Sequence, residues 1–187
     1  MKIILASKSP RRRELLGQLY SEFDVITAET DETLDGSVHP SRGVEMLAVR
    51  KGAPVALDNP DALVISSDTL VELDGSPLGK PESTSHAIEM LRALSGRTHN
   101  VHTGVAVHLH GRVYSATATT AVRFKELCEN EIEEYVASGE PMDKAGAYGI
   151  QGLGGRFVVG YDGDYDTVVG LSMRTLKKLI DEAFADE

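Results

Sequence analysis

Apolar residues open the chain at Ile3, Ile4, Leu5 and Ala6, give way to polar Ser7-Lys8-Ser9, and return at Leu15, Leu16 and Leu19 with helical spacing. That alternation predicts a strand, a tight loop and a helix. Ser9 suits the N-cap and Pro10 the first helical position, where its missing N–H costs nothing. Residues 23–27 read as a strand, followed by an acidic loop over 30–36. Pro40 opens a helix to about Leu57, interrupted near Gly52 and Pro54, and Asn59-Pro60-Asp61 is a turn. Residues 62–67, an apolar run of four followed by Ser66 and Ser67, read as a nearly continuous apolar strand of the type buried on both faces of a sheet. That strand ends at Asp68-Thr69, with 70–73 still extended up to a hairpin turn at Asp74-Gly75.

Leu78-Gly79-Lys80-Pro81 precedes a helix over about 84–94, with Gly96 just past its end. Two long β-like runs, 98–109 and 113–124, meet at His110-Gly111 and read as an antiparallel hairpin. A helix over 130–138 carries Asn130 and Glu133 at capping-box spacing and ends at Gly139. Then come a glycine-rich segment, 143–155, a strand over 157–161 and a final helix over 172–185. No repeat, linker or low-complexity stretch divides the 187 residues, so a single domain over 1–187 is expected. Helices alternating with strands, then a hairpin, predict an α/β domain with a mixed sheet.

Composition narrows the function. Apolar residues make up 41% and charged residues 26%, in the range of globular proteins with a real core. A net charge of −10 argues against general nucleic-acid binding through a basic surface. The lone cysteine, Cys128, rules out an internal disulfide and suits a reducing compartment. No apolar run approaches membrane-spanning length, and the opening residues are too few for a signal peptide, so a cytoplasmic protein is expected.

Against this acidic background Lys8, Arg11, Arg12 and Arg13 cluster at the first helix start. With Ser7, Ser9 and free backbone N–H groups they suit a polyanion such as a phosphate chain. A solvated basic face is the plainer reading, but three arginines in a first turn oppose the helix dipole and call for compensation. Asp68 could ligate a hard divalent cation or orient a water, or simply cap a turn. Glu32, beside Asp31, could be a second carboxylate, or part of a solvated loop. Lys51 and Lys80 could neutralise phosphate oxygens. Gln151, in the glycine-rich segment, offers an amide to a base edge. That segment matches neither a Walker A loop nor a dinucleotide-binding fingerprint. The strand histidines fit a solvated face better than a metal site, and Cys128 fits a buried or half-buried thiol better than a nucleophile.

Taken in order, these pieces resemble the Maf family of nucleoside triphosphate pyrophosphatases over essentially the whole chain. The likeness rests on 5–12, Leu-Ala-Ser-Lys-Ser-Pro-Arg-Arg, then Asp31-Glu32, Arg50-Lys51, Ser67-Asp68-Thr69 and Gly79-Lys80-Pro81. Its most specific piece is 143–152, Asp-Lys-Ala-Gly-Ala-Tyr-Gly-Ile-Gln-Gly. The resemblance implies an elongated mixed sheet flanked by helices, two lobes with a central cleft, and a likeness in fold to the inosine triphosphate pyrophosphatases. It implies hydrolysis of a nucleoside triphosphate to monophosphate and pyrophosphate with a divalent metal, Mg²⁺ or Mn²⁺, and a homodimer. Asp68 falls at the family's proton-acceptor position. Asp68, Glu32, Lys51 and Lys80 are the expected catalytic set, with the metal on Asp68 and Glu32. Ser7, Ser9, Arg11, Arg12, Thr69 and Gln151 are expected to bind substrate. Arg11, Thr69 and Gln151 match the branch acting on dTTP and UTP, whose neutral pyrimidine suits an arginine and an amide. The alternatives are clearance of ITP- or 7-methyl-GTP-type purines and a nucleotide-binding regulator of cell division. Gly52 departs from the family's usual alanine after the lysine.

Overall fold

The computed structural model describes residues 1–186 and holds a mixed α/β fold. Its strands are β1 (Ile3–Leu5), β2 (Asp24–Val25), β3 (Leu63–Leu73), β4 (Ser76–Leu78), β5 (Thr98–Leu109), β6 (Arg112–Phe124) and β7 (Val158–Asp162). They form one seven-stranded sheet in the order β2-β1-β3-β5-β6-β7, with β4 hydrogen-bonded to β3. The helices are α1 (Pro10–Gly17), α2 (Pro40–Asp58), α3 (Thr84–Leu94), α4 (Glu129–Ala137), α5 (Tyr165–Val169) and α6 (Met173–Ala185). None of the described helices is long and apolar enough to cross a membrane.

The chain divides into two compact units. The first holds Met1–Thr69, Thr103–Ala118 and the stretch from Gly170 onward. Here β1 pairs in parallel with β3 (Ile3 opposite Leu63, Leu5 opposite Ile65) and with β2. Ile4, Ala6, Val55, Ala62 and Val64 pack into one buried cluster. On α6, Leu176, Leu179, Ile180 and Ala183 are buried at helical spacing. The second unit holds Leu70–His102 and Thr119–Val169. Its core gathers Leu91 and Leu94 of α3, Ile132 and Tyr135 of α4, Phe124, Tyr148 and Phe157.

Several expectations need correction. Strand β3 does not end at Asp68 but runs on to Leu73, where Asp74 and Gly75, both at positive φ, turn the chain into β4. Helix α2 is not interrupted. Gly52 is there because a Cβ would lie 2.5 Å from His108 Nε2 and 2.6 Å from the Ser66 hydroxyl, not as a breaker. Val55, buried one residue beyond Pro54, helps carry the helix past the proline through packing. The close approach to His108 also accounts for the missing alanine. Helix α4 is capped at Cys128, whose N–H donates to Glu131, so the capping box lies two residues earlier than expected. Cys128 itself is exposed, not buried.

The strand histidines are not solvated either. His99, His102 and His108 are buried. His102 bridges Glu72 at 2.7 Å and Thr119 at 2.8 Å. His99 Nε2 shares a hydrogen bond with the Tyr148 hydroxyl at 2.8 Å and stacks edge-on against Phe124. Burial pushes the His99 imidazole down from 6.5 to about 4. Between those values the unfolded chain binds a proton that the native one does not. Native stability should therefore fall as pH drops through this window, by on the order of 3 kcal/mol from this group. The measurement is the urea midpoint from pH 7 to pH 4 for the parent and His99→Gln. The stability gap between them should shrink on acidification; a constant gap would exclude His99 as the source.

Candidate active site

Short β1 and long β3 create the site. The last ladder bond beside β1 is Ala6 N–H to the Ile65 carbonyl, at 2.7 Å; Ser7 then leaves the sheet. Strand β3 continues past that point with an open edge. Arg12 fills it. Its Nη1 donates to the Ser67 carbonyl at 2.8 Å and to the Ser7 hydroxyl at 3.3 Å. Its Nε donates to the Gly170 carbonyl at 2.8 Å, and its Nη2 to the Thr69 hydroxyl at 3.2 Å. The Ser67 hydroxyl donates to the same Gly170 carbonyl, and Thr69 bonds Thr103. This is part of the compensation that the basic helix start calls for. Burial lowers the Arg12 pKa, the Asp68 charge raises it, Arg11 lowers it and Glu32 raises it, with a net lowering. A guanidinium stays charged regardless.

The loop before α1 is built from its own hydroxyls. Ser7 Oγ accepts the Ser9 N–H at 3.3 Å, and Ser9 Oγ accepts the Arg12 N–H at 3.4 Å, which caps the helix. Ser7 is buried, Ser9 and Arg11 are half-buried, and Lys8 is exposed.

Alternation along β3 sends Ser66 and Asp68 to one face and Ser67 and Thr69 to the other. The Ser66 hydroxyl donates to the Ala48 carbonyl of α2 at 2.7 Å. Gly104 lets α2 come closer still, since a Cβ there would lie 2.2 Å from the Val44 carbonyl oxygen. This approach brings Lys51 over β3. Its Nζ donates to Asp68 Oδ1 at 2.5 Å and lies 3.1 Å from Glu32 Oε2. The Asp68 side chain is 13% exposed and that of Glu32 is 60% exposed, so the Asp68 bond is the stronger of the two. The acidic loop is tied down on both sides of Glu32. Asp31 accepts the Thr33 N–H at 2.8 Å, and Arg50 donates to the Thr33 carbonyl at 2.7 Å. Hydrogen bonds from Thr33 hold the Asp31 carboxyl below its usual range.

Seven of the expected residues therefore converge within the first unit: Ser7, Ser9, Arg12, Glu32, Lys51, Asp68 and Thr69. Lys80 and Gln151 belong to the second unit, and both are exposed. There the Gly146 N–H donates to the Gly79 carbonyl at 3.0 Å, joining the lysine's turn to the glycine-rich segment. Gly146, at positive φ, would press a Cβ within 2.8 Å of Val71. Glu140, absent from the expected site, binds this segment through both carboxylate oxygens.

Among the described residues, no group of three or more His, Cys, Asp or Glu is placed to hold a metal ion. Asp68 and Glu32 nevertheless meet on one cationic centre, the Lys51 ammonium. Two carboxylates, with phosphate oxygens and waters completing the shell, are a fitting donor set for Mg²⁺ on a polyphosphate.

Within this mixed α/β fold a lysine-bridged carboxylate pair and a serine- and arginine-rich helix start form a set of charges and donors chemically suited to a phosphorylated ligand. The model of the Maf-like protein family matches residues 2–183, and the chain belongs to that family. It is 47% identical over 181 residues to the dTTP/UTP pyrophosphatase of Bacillus velezensis, covering 95% of this chain and 96% of that protein. It is 49% identical to the dTTP/UTP pyrophosphatase of Moorella thermoacetica, over 96% of this chain and 93% of that one. The same name belongs to a relative from Salinibacter ruber, also 49% identical, over 98% and 92% of the two chains. Among solved structures, the Staphylococcus aureus Ham1 protein superposes with a TM-score of 0.55 at 16% identity, over 100% of this chain and 98% of that one. That likeness concerns the fold alone.

Proposed function

We propose that this chain is a nucleoside triphosphate pyrophosphatase that hydrolyses dTTP and UTP to the monophosphate and pyrophosphate. The observation that carries the reading is the Lys51 ammonium held by Asp68 and Glu32. It couples an anion-binding cation to two metal-competent carboxylates. The names of the relatives at 47% and 49% identity support the substrate class.

Asp68 accepts a hydrogen bond from the attacking water and aims it at the α-phosphorus, while pyrophosphate departs. Lys51 is already bonded to Asp68, so it fixes the direction of that carboxylate and supplies positive charge to the phosphates. Ser7, Ser9 and Arg11 present donors to the triphosphate. Arg12 serves them indirectly, by bracing the loop against β3 and Gly170. Asp68 and Glu32 are the residues that would hold Mg²⁺ or Mn²⁺; bound there, the ion supplies charge neutralisation on the phosphoryl oxygens. Lys80 adds a cation for the phosphate chain. Thr69 and Gln151 contribute to substrate choice, Gln151 through the carbonyls and N–H of a pyrimidine edge. The work is positioning and charge neutralisation, with no covalent intermediate. The whole of 1–187 acts as one functional domain, as a cytoplasmic homodimer.

The test is pyrophosphate release from dTTP, UTP, ITP and 7-methyl-GTP, with Mg²⁺ or Mn²⁺ added or chelated. Metal-dependent turnover of dTTP and UTP, well above the two purines, is expected. Preference for ITP or 7-methyl-GTP would replace the substrate assignment, and tight nucleotide binding without turnover would favour a regulator.

A further inference from the structure

Glu140 has no part in the reaction as described, yet the glycine-rich segment is built around it. Its Oε1 accepts the Tyr135 hydroxyl at 2.9 Å and the Gly154 N–H at 3.1 Å. Its Oε2 accepts the Leu153 N–H at 2.9 Å. The Tyr135 oxygen in turn accepts the Gly149 N–H at 3.2 Å. Burial works against the Glu140 charge, but the Leu153, Gly154 and Tyr135 bonds outweigh it, and the carboxyl is held below its ordinary range. Lys144, one turn on, donates to the Glu140 carbonyl at 2.9 Å.

The glycines of the segment are the spatial counterpart of this hub. A Cβ on Gly152 would lie 2.5 Å from both Glu140 carboxylate oxygens, and one on Gly154 would lie 2.6 Å from the Tyr135 hydroxyl. The chain from 149 to 154 is thus fastened at both ends to one carboxylate and the phenol it holds. Gln151 lies between the two fastenings, exposed to solvent. Bonds to an ionised carboxylate are roughly twice as strong as neutral ones, so the Glu140 fastening is a strong restraint on so short a stretch.

We infer that Glu140 is a positioning residue for substrate choice: it holds Gln151 where that amide meets the pyrimidine edge. This rests on the base-recognition role proposed for Gln151. A displacement of about 1 Å in such a group is enough to lose much of its discrimination. Glu140→Gln keeps the shape of the side chain but exchanges one acceptor oxygen for a donor. At least one of the Leu153, Gly154 and Tyr135 donors then loses its partner.

The experiment measures kcat, KM and melting temperature for the parent, Glu140→Gln, Gln151→Ala and the double variant. The substrates are dTTP and dCTP, whose bases differ at the 4-position (carbonyl against amino), in the proton at N3 and in the 5-methyl group. Glu140→Gln should raise KM for dTTP about tenfold while kcat changes far less, and should cut the preference for dTTP by a similar factor. The double variant should be no less selective than Gln151→Ala alone, because both changes remove the same contact. Tyr135→Phe should shift selectivity in the same direction by less, and it carries the test if Glu140→Gln fails to fold. Lower melting temperature with selectivity intact would overturn the inference, as would additive losses in the double variant. Unchanged selectivity in Gln151→Ala would instead overturn the base-recognition role itself.

Discussion

Asp68→Asn is expected to lower dTTP turnover about 10²-fold or more, the usual loss when a general base is removed. The replacement keeps the size of the side chain and its place on β3. It removes the charge that the Lys51 ammonium meets at 2.5 Å, and with it the strongest acceptor available to an attacking water. Lys51 would keep Glu32 as its charged partner, which is largely solvated and binds it more weakly, beside at best a neutral amide oxygen at 68. The loss should fall mainly on kcat, because nucleotide contacts from Ser7, Ser9 and Arg11 are untouched. Steady-state kinetics on dTTP, with nucleotide affinity measured separately by calorimetry, distinguish the two. Turnover equal to the parent would remove Asp68 from the chemistry.

Where the determinants are local, residues alone reveal the structure. Ser9 and Pro10 mark the start of α1, and α3 runs from Thr84 to Leu94 because Ser83 caps it and Gly96 takes a left-handed turn beyond it. Where a partner is distant, the same reasoning fails for identifiable causes. Gly52 and Pro54 together resemble a helix break, but the reason for Gly52 is His108, far along the chain. Strand β5 is buried nearly throughout, so alternation does not single out an exposed face, and His99 and His102 sit inside on partners from β3, β6 and the glycine-rich segment. Asp68 resembles a strand end because Ser67, Asp68 and Thr69 interrupt an apolar run. In fact it is β1 that ends, leaving the β3 edge open to Arg12. Glu140 was hidden because two of its partners are backbone N–H groups thirteen and fourteen residues away. The only trace of it in the sequence is the spacing of the glycines that make room.

Arg12→Lys should be more damaging than its conserved charge suggests, in both stability and activity. The guanidinium donates in a plane to the Ser67 and Gly170 carbonyls and to the Ser7 and Thr69 hydroxyls. A lysine carries the same charge at a single tetrahedral nitrogen and cannot span that fork. The Gly170 carbonyl would keep the Ser67 hydroxyl as a donor, but the Ser67 carbonyl would lose the donor that replaces a strand neighbour. An unpaired carbonyl in a shielded position costs about 1–3 kcal/mol, and loss of the bonds to Ser7, Thr69 and Gly170 adds to it. A total of about 3 kcal/mol in urea unfolding is expected. Activity should fall further than the unfolded fraction explains, because the same bonds fix the loop carrying Ser7 and Ser9. The check is dTTP turnover measured well below the variant's melting temperature. A destabilised Arg12→Lys with parental turnover per folded molecule would make Arg12 a stabilising strut alone. Parental stability with a raised KM would make it a direct phosphate ligand instead of a brace.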